Sequence, residues 1–406
     1  MASYKSTVRS CYIGYFTQAI INNLAPVFFV IFQKSYGISL SLISWLIFIN
    51  FGVQIVTDMV SFYAVRYLGI RRAIVLAHIF SALGLVFLGI LPLFLPPFIG
   101  LTTAIVIYAA GSGLIEVLVS PIIDSIPSDN KSSAMSLLHS FYCWGQLAVV
   151  LLTTVLLHFI GNGKWFILPI LWAIIPFVNI FNFARVPLAP MPQEDKVALR
   201  PLLKSRNFIV FALLMLCAGA TEITVSQWSS LFAERGLGVS KVVGDILGPC
   251  LFALLMGIGR AFYGLQGSKM NLHKSLVFCA VLGIFCYLLI SFSKIPFLAL
   301  IGCALTGLAV SLMWPGVLSL ASAHFPKSGT AVFSIMALFG DIGCTTGPYL
   351  AGQIAGFAEK NIPGGFSGHS PESAGLKIGI FAAIIFPVAM LILLNKTNNE
   401  ELDENV

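Results

Sequence analysis

"CYIGYFTQAIINNLAPVFFVIF", residues 11–32, decides what kind of molecule this is. A helix crosses the hydrocarbon core of a bilayer in about 20 mainly apolar residues, and this run is long enough to do so. It does not read as a cleaved signal. Gln18, Asn22 and Asn23 interrupt it, and no small-residue cleavage site follows a short apolar core. It reads instead as the first of a series, because runs of similar length recur to the end of the chain. Across 406 residues, 58% are hydrophobic and 10% charged, with 33 Phe and a mean hydropathy of +0.95. A soluble domain carries about 45–50% apolar and about 25% charged residues. The chain is therefore expected to be an all-α polytopic membrane protein.

Twelve transmembrane spans are predicted, at about 11–33, 41–65, 72–92, 98–122, 134–158, 164–184, 206–232, 243–266, 273–293, 296–322, 329–356 and 374–395. Breakers such as "SYGIS" (35–39), "LPLFLPP" (91–97), "IPSDNKSS" (126–133), "GNGK" (161–164) and "GGFSGHSPESAG" (364–375) separate them. With the N-terminus inside, basic residues favour the inner segments about two to one, which places both termini in the cytoplasm and the chain in the cell (inner) membrane. The net charge of +7 is then topological. It faces anionic lipid rather than nucleic acid.

One inner segment differs from the rest. "RVPLAPMPQEDKVALRPLLKSR" (185–206) is Pro-rich and charged, and it parts six spans from six. The expected organisation is two pseudo-symmetric six-helix bundles, residues 1–184 and 206–406, joined by a cytoplasmic linker at 185–205, with an acidic tail "NNEELDENV". No soluble catalytic domain fits. No G-x-x-x-x-G-K-[ST] motif occurs, and no Ser-His-Asp or metal constellation, so neither an enzyme, a cofactor, a metal nor an internal ATPase is expected. The eight cysteines lie in or beside apolar runs and read as packing residues.

An ionisable side chain at mid-bilayer costs at least about 2.5–3.5 kcal/mol on insertion scales, so each one calls for a reason. Glu116, in "GSGLIEVLVSPIIDSIP" (111–127), stands out. Ser120 shares its helical face, with Pro121 just below. A carboxyl group that can take up and release a proton inside the membrane is what a proton-coupled transporter needs; the alternative is a structural hydrogen bond. Glu222, Ser226, Gln227 and Trp228, in "GATEITVSQW" (219–228), combine a carboxylate, an amide and an indole, a set suited to a polyhydroxylated solute. Trp228 reads equally as an anchor at the outer membrane surface.

His139, Tyr142 and Gln146 share a face of the fifth span, and Gln18, Asn22 and Asn23 mark the first. Together these stripes imply a wet central cavity, although interhelical hydrogen bonds, worth about 0.6 kcal/mol each in membranes, also account for them. Asp58 and Arg260 sit one to two turns from the cytoplasmic end of their spans and read as gating or structural ion-pair residues. Asp341 is deeper, placed to pair with Arg260 or to face the cavity. His78, His158, His273, His324 and His369 read as helix-end or loop residues.

Four stretches resemble the fucose, glucose and galactose proton symporter branch of the major facilitator superfamily. They are "SGLIEVLVSPIIDSIP", "LLHSFYCWGQ", "GATEITVSQWSSLF" with "GIGRAFYG", and "MWPGVLSLASAHFP". The resemblance spans all twelve predicted helices. It implies Glu116 as the proton-coupling carboxylate, with His139, Glu222 and Trp228 near a sugar. The first helix departs from the fucose type, with Ala25 and Pro26 where an acid follows Asn-Asn-Leu. The inner-loop signature of the superfamily is reduced to "FYAVRYLGIRR" (62–72) and, later, to "GLQGSKMN" (264–271). The expectation is a monomeric secondary transporter moving a small polar solute, a sugar, together with protons by alternating access. Its rivals are an exporter of drugs or amphiphiles, a sugar uniporter, and a membrane scaffold or sensor.

Overall fold

The computed structural model describes residues 4–127, 131–189, 204–266, 270–325, 329–361 and 370–399. Most of the expected linker, His369, Lys269 of the later inner-loop copy, and the acidic tail from residue 400 lie outside the described residues. All regular structure among the described residues is helical.

Among the described residues, twelve helical spans follow one another. They are α1 (Lys5–Tyr36), α2 (Leu40–Leu68), α3 (Ile70–Phe94), α4 (Pro97–Ser125), α5 (Lys131–Ile160) and α6 (Ile167–Trp172 and Ile174–Arg185). The second set is α7 (Arg206–Leu231), α8 (Lys241–Asp245, then a wide turn and Leu251–Gln266), α9 (Leu272–Phe292), α10 (Pro296–Val310 and Met313–His324), α11 (Gly329–Asn361) and α12 (Pro371–Ala382 and Ile385–Asn399). Eleven are long and apolar enough to cross a membrane. The twelfth, α11, has the length but carries Asp341, Thr345, Thr346 and Gln353. Twelve crossings bring both ends of the chain to one face, the termini face; the other is the far face.

The breaks have a common cause. Prolines stand at 176, 315 and 387, and the helix is interrupted three or four residues before each one. A proline inside a helix removes one backbone donor and its ring strikes the carbonyl four residues back. Where a helix stops cleanly, as α1 does, Gly37 takes a left-handed φ of 66°, its N–H caps the Gln33 carbonyl, and the Ile38 N–H caps the Phe32 carbonyl.

The same pairings recur in the two halves. α1 packs on α5, α2 on α4 and α3 on α4; α7 packs on α11, α8 on α10 and α9 on α10. Small residues permit the closest approaches, as lipid-embedded helices require. A side chain at Gly84 would strike the Tyr108 backbone between α3 and α4, and one at Gly343 would strike the Leu216 carbonyl between α11 and α7. The halves meet chiefly through α2 against α11 and α5 against α8, with α1 beside α7.

The apolar core is asymmetric along the membrane normal. One cluster runs continuously through both halves, including Phe28, Phe32 and Trp165 of the first and Trp228 and Phe232 of the second. A separate cluster, with Cys11, Ile115, Leu118, Ile122 and Phe183, belongs to the termini side of the first half alone. The halves thus share a core toward the far face and separate toward the termini face. All eight cysteines are buried and unpaired with one another.

Candidate solute and proton site between the halves

Glu116 sits about two thirds of the way along α4, which runs unbroken through Pro121. Its Oε2 accepts from Gln18 Nε2 of α1 at 2.5 Å. One turn on, Ser120 Oγ and the Tyr15 hydroxyl are 2.8 Å apart, so the expected polar patch on α4 lies against α1. Gly113 lets α2 ride close on the same helix, because a Cβ there would lie 3.0 Å from Asp58 Oδ1. The sequence spacing of Glu116 and Ser120 therefore delivers two polar groups to a single helix interface.

The first-helix amides act differently from one another. Asn22 Oδ1 accepts from Asn50 Nδ2 at 3.1 Å and from Gln54 Nε2 at 3.0 Å. Gln54 in turn accepts from the Ser112 hydroxyl at 3.0 Å. Asn23 instead reaches α5, where its Nδ2 lies 3.4 Å from the Tyr142 hydroxyl. Asn50 and Gln54 escape the sequence reading, yet with Asp58 they stand at i, i+4 and i+8, one polar stripe down α2. That spacing was the available signal.

In the second half Glu222 of α7 and Arg260 of α8 form an ion pair at 3.3 Å. Arg260 also reaches across, with Nη1 3.4 Å from Cys143 Sγ of α5, while its Nε has no acceptor. The ion pair that Arg260 makes is with Glu222, not with Asp341. Arg260 joins neither Asp58 nor Asp341, because α8 turns it toward α7 of its own half. Asp58 and Asp341 meet each other, because α2 and α11 lie side by side across the halves.

Other expected site residues bind the halves together. Gln146 Nε2 donates to Ser226 Oγ at 2.9 Å, and Gln227 Nε2 donates to the Asn22 carbonyl at 2.8 Å. Trp228 is no surface anchor. It is 1% exposed, wedged against Gly352, and its indole N–H donates to the Pro348 carbonyl at 2.9 Å. His78 is likewise inside a helix rather than at an end: it is fully buried in α3, bonded to the Ile74 carbonyl and to Asn179 Nδ2 at 2.9 Å.

The far face is sealed by polar clasps. Lys34 pairs with Glu234 at 2.7 Å, and Gln33 donates to Glu372 at 2.9 Å. Gln353 Nε2 donates to Ser44 Oγ at 2.9 Å. Thr154 of α5 donates at 2.6 Å to Asp245 of α8, which also receives Ser230 and pairs with Lys241. Beneath them, between Asn22, Asn50, Phe29, Tyr108 and Gln227, a cavity of about 10 Å³ remains, room for one water and no solute.

His139 defines the other side. Its ring packs edge-on to Tyr15 at 5.1 Å and lies within electrostatic reach of Arg260 in the second half, yet the residue is exposed. A ring so flanked cannot face lipid. The exposed ring thus lies between Tyr15 of its own half and Arg260 of the second.

Known proteins share this fold. The family model "Major Facilitator Superfamily" matches residues 11–348 and, in a second match, 246–405. A curated relative, the "Multi-drug resistance efflux pump PmrA homolog" of Lactococcus lactis, is 24% identical over 254 residues, 61% of this chain and 62% of that protein. The match spans less than two thirds of that relative's length. Among solved structures, a bacterial homolog of the human lysosomal transporter Spinster, inward-facing and occupied, superposes with a TM-score of 0.76 at 14% identity, covering 98% of each chain. A D-xylose–proton symporter gives 0.72 at 14% identity over 95% of this chain and 97% of that one. The E. coli fucose:proton symporter gives 0.65 at 15% identity over 97% and 99%.

Proposed function

Because the chain belongs to the Major Facilitator Superfamily, we propose that it couples the passage of a small polar solute, a sugar or polyol, to that of a proton by alternating access. The observation that carries this reading is the position of Glu116. It is a carboxyl group held by Gln18 where α1 meets α4, with Ser120 and Tyr15 one turn away and the Glu222–Arg260 pair in the second half. In the proposed cycle Glu116 takes a proton from outside, which releases the demand on Gln18 and lets the solute settle among Gln18, Asn23, Ser120, His139 and Tyr142. Glu222 and Arg260 face it from the second half. Asn22, Gln146, Ser226, Gln227 and Trp228 close the far side and would line the passage when it opens. The solved proton symporters for xylose and fucose support the assignment at the level of the fold.

With the termini in the cytoplasm of a cell membrane, the state described is inward-facing, in keeping with the Spinster homolog's conformation. The protein works as a monomer in lipid. A second reading, proton-driven export of an amphiphile, is favoured by the relative named as a multidrug efflux pump. Uptake of a panel of labelled sugars and polyols into proteoliposomes, with acid outside or inside, decides between them. Accumulation driven by outside acid supports symport. No movement of any member, with acid-driven extrusion of a fluorescent amphiphile, overturns it.

A further inference from the structure

Asp58 and Asp341 come from different halves, α2 and α11, and their carboxyl groups lie within hydrogen-bonding reach of each other. Asp341 is 6% exposed, and both Asp58 Oδ1 and Asp341 Oδ2 are buried without a donor. Hydroxyls next to them along their helices are committed elsewhere. Thr57 donates to the Val53 carbonyl, Ser61 to the Asp58 carbonyl and Thr345 to the Asp341 carbonyl, none to a carboxylate.

Among the described residues the charged surroundings do not neutralise the pair. Glu116 faces it from α4, Glu222 stands beyond Cys344 on the α7 side, and Tyr15 lies beside Glu116 on α1. From α5, Tyr142 is turned to Asn23 and Glu222; His139, also on α5, and Arg260, on α8, lie near one another. Arg260 is already engaged by Glu222 and Cys143. Two carboxylates in contact, one of them buried, with no cation beside them among the described residues, cannot both stay ionised. A single proton between them supplies the missing donor.

We propose that Asp58 and Asp341 hold one proton between them, and that this shared proton is a bond between the halves, separate from the one assigned to Glu116. The seam between α2 and α11 is the most extensive contact across the halves. Loss of the proton places two negative charges face to face in that seam and loosens it. Protonation of the pair therefore favours the state closed at the far face. The bond exists whatever solute is carried; only its use in transport rests on the proton-coupled reading above. Glu116 is within electrostatic reach of both aspartates.

The test needs no solute. Infrared difference spectra of the purified full-length protein in nanodiscs, titrated through neutral pH, report the carbonyl stretch of protonated carboxyl groups. The wild type is expected to show a deuterium-sensitive band at neutral pH that Asp58→Asn and Asp341→Asn each remove, one shared proton lost either way. Glu116→Gln is expected to leave that band in place. Size-exclusion profiles establish that each variant is folded, and Asp341→Glu, which keeps a carboxyl group, is expected to shift the band rather than abolish it. A band that survives both Asn variants, or a wild type without one, overturns the proposal. Loss of the band on adding sodium at constant pH also overturns it, in favour of a metal cation between the carboxylates.

Discussion

Glu222 and Arg260 form an ion pair at 3.3 Å inside the second half, with side chains 9% and 18% exposed, and the same guanidinium touches Cys143 of the first half. Removing one member of a buried pair strands the other charge, at about 3–5 kcal/mol, whereas replacing both is often neutral. Arg260→Ala is therefore expected to lower the thermal midpoint sharply in detergent. The double variant Glu222→Gln with Arg260→Gln is expected to regain most of that stability. Additive losses in the double variant would show that the two side chains act separately.

Closure of the far face is testable through Ser41 and Gly356. A Cβ at Gly356 would stand 3.4 Å from Ser41 Cβ, close to the mean separation of about 3.8 Å in disulfides. S41C with G356C is expected to cross-link under mild oxidation and to stop transport, with reductant restoring it. Cross-linked protein that still transports at full rate would mean that these ends do not part during the cycle.

Trp228 and Tyr142 separate closing from binding. Trp228→Phe gives up the bond to Pro348, about 0.5–1.5 kcal/mol of stability, with KM for the solute little changed. Tyr142→Phe, which loses only a long 3.4 Å bond from Asn23, is expected to raise KM several-fold and to cost no more than about 0.5 kcal/mol of stability. Thermal unfolding and uptake kinetics on both variants check the contrast.

The spans were legible because apolar length dominates every other signal in the chain; even the breaks in α6, α10 and α12 are marked by prolines. The polar patch of Glu116 and Ser120 was legible because helical spacing alone puts them on one face. Partners were not. Which acid Arg260 meets depends on how α8 turns against α7, and the contact of Asp58 with Asp341 joins residues from opposite halves of the chain. Trp228 misled because an indole near a span end fits an interfacial belt as well as it fits a buried seam. Local periodicity names the face of a helix but not what comes to cover it.

Proton-coupled movement through Glu116 is the central claim, and one measurement reaches it directly. Proteoliposomes carrying wild type or Glu116→Gln, loaded with a transported sugar, would be followed for accumulation under an inward proton gradient and for exchange at equal pH on both sides. The account predicts that the variant loses gradient-driven accumulation while exchange persists within a few-fold of wild type. Accumulation that survives in Glu116→Gln at wild-type levels would contradict it and leave the bond to Gln18 a structural one.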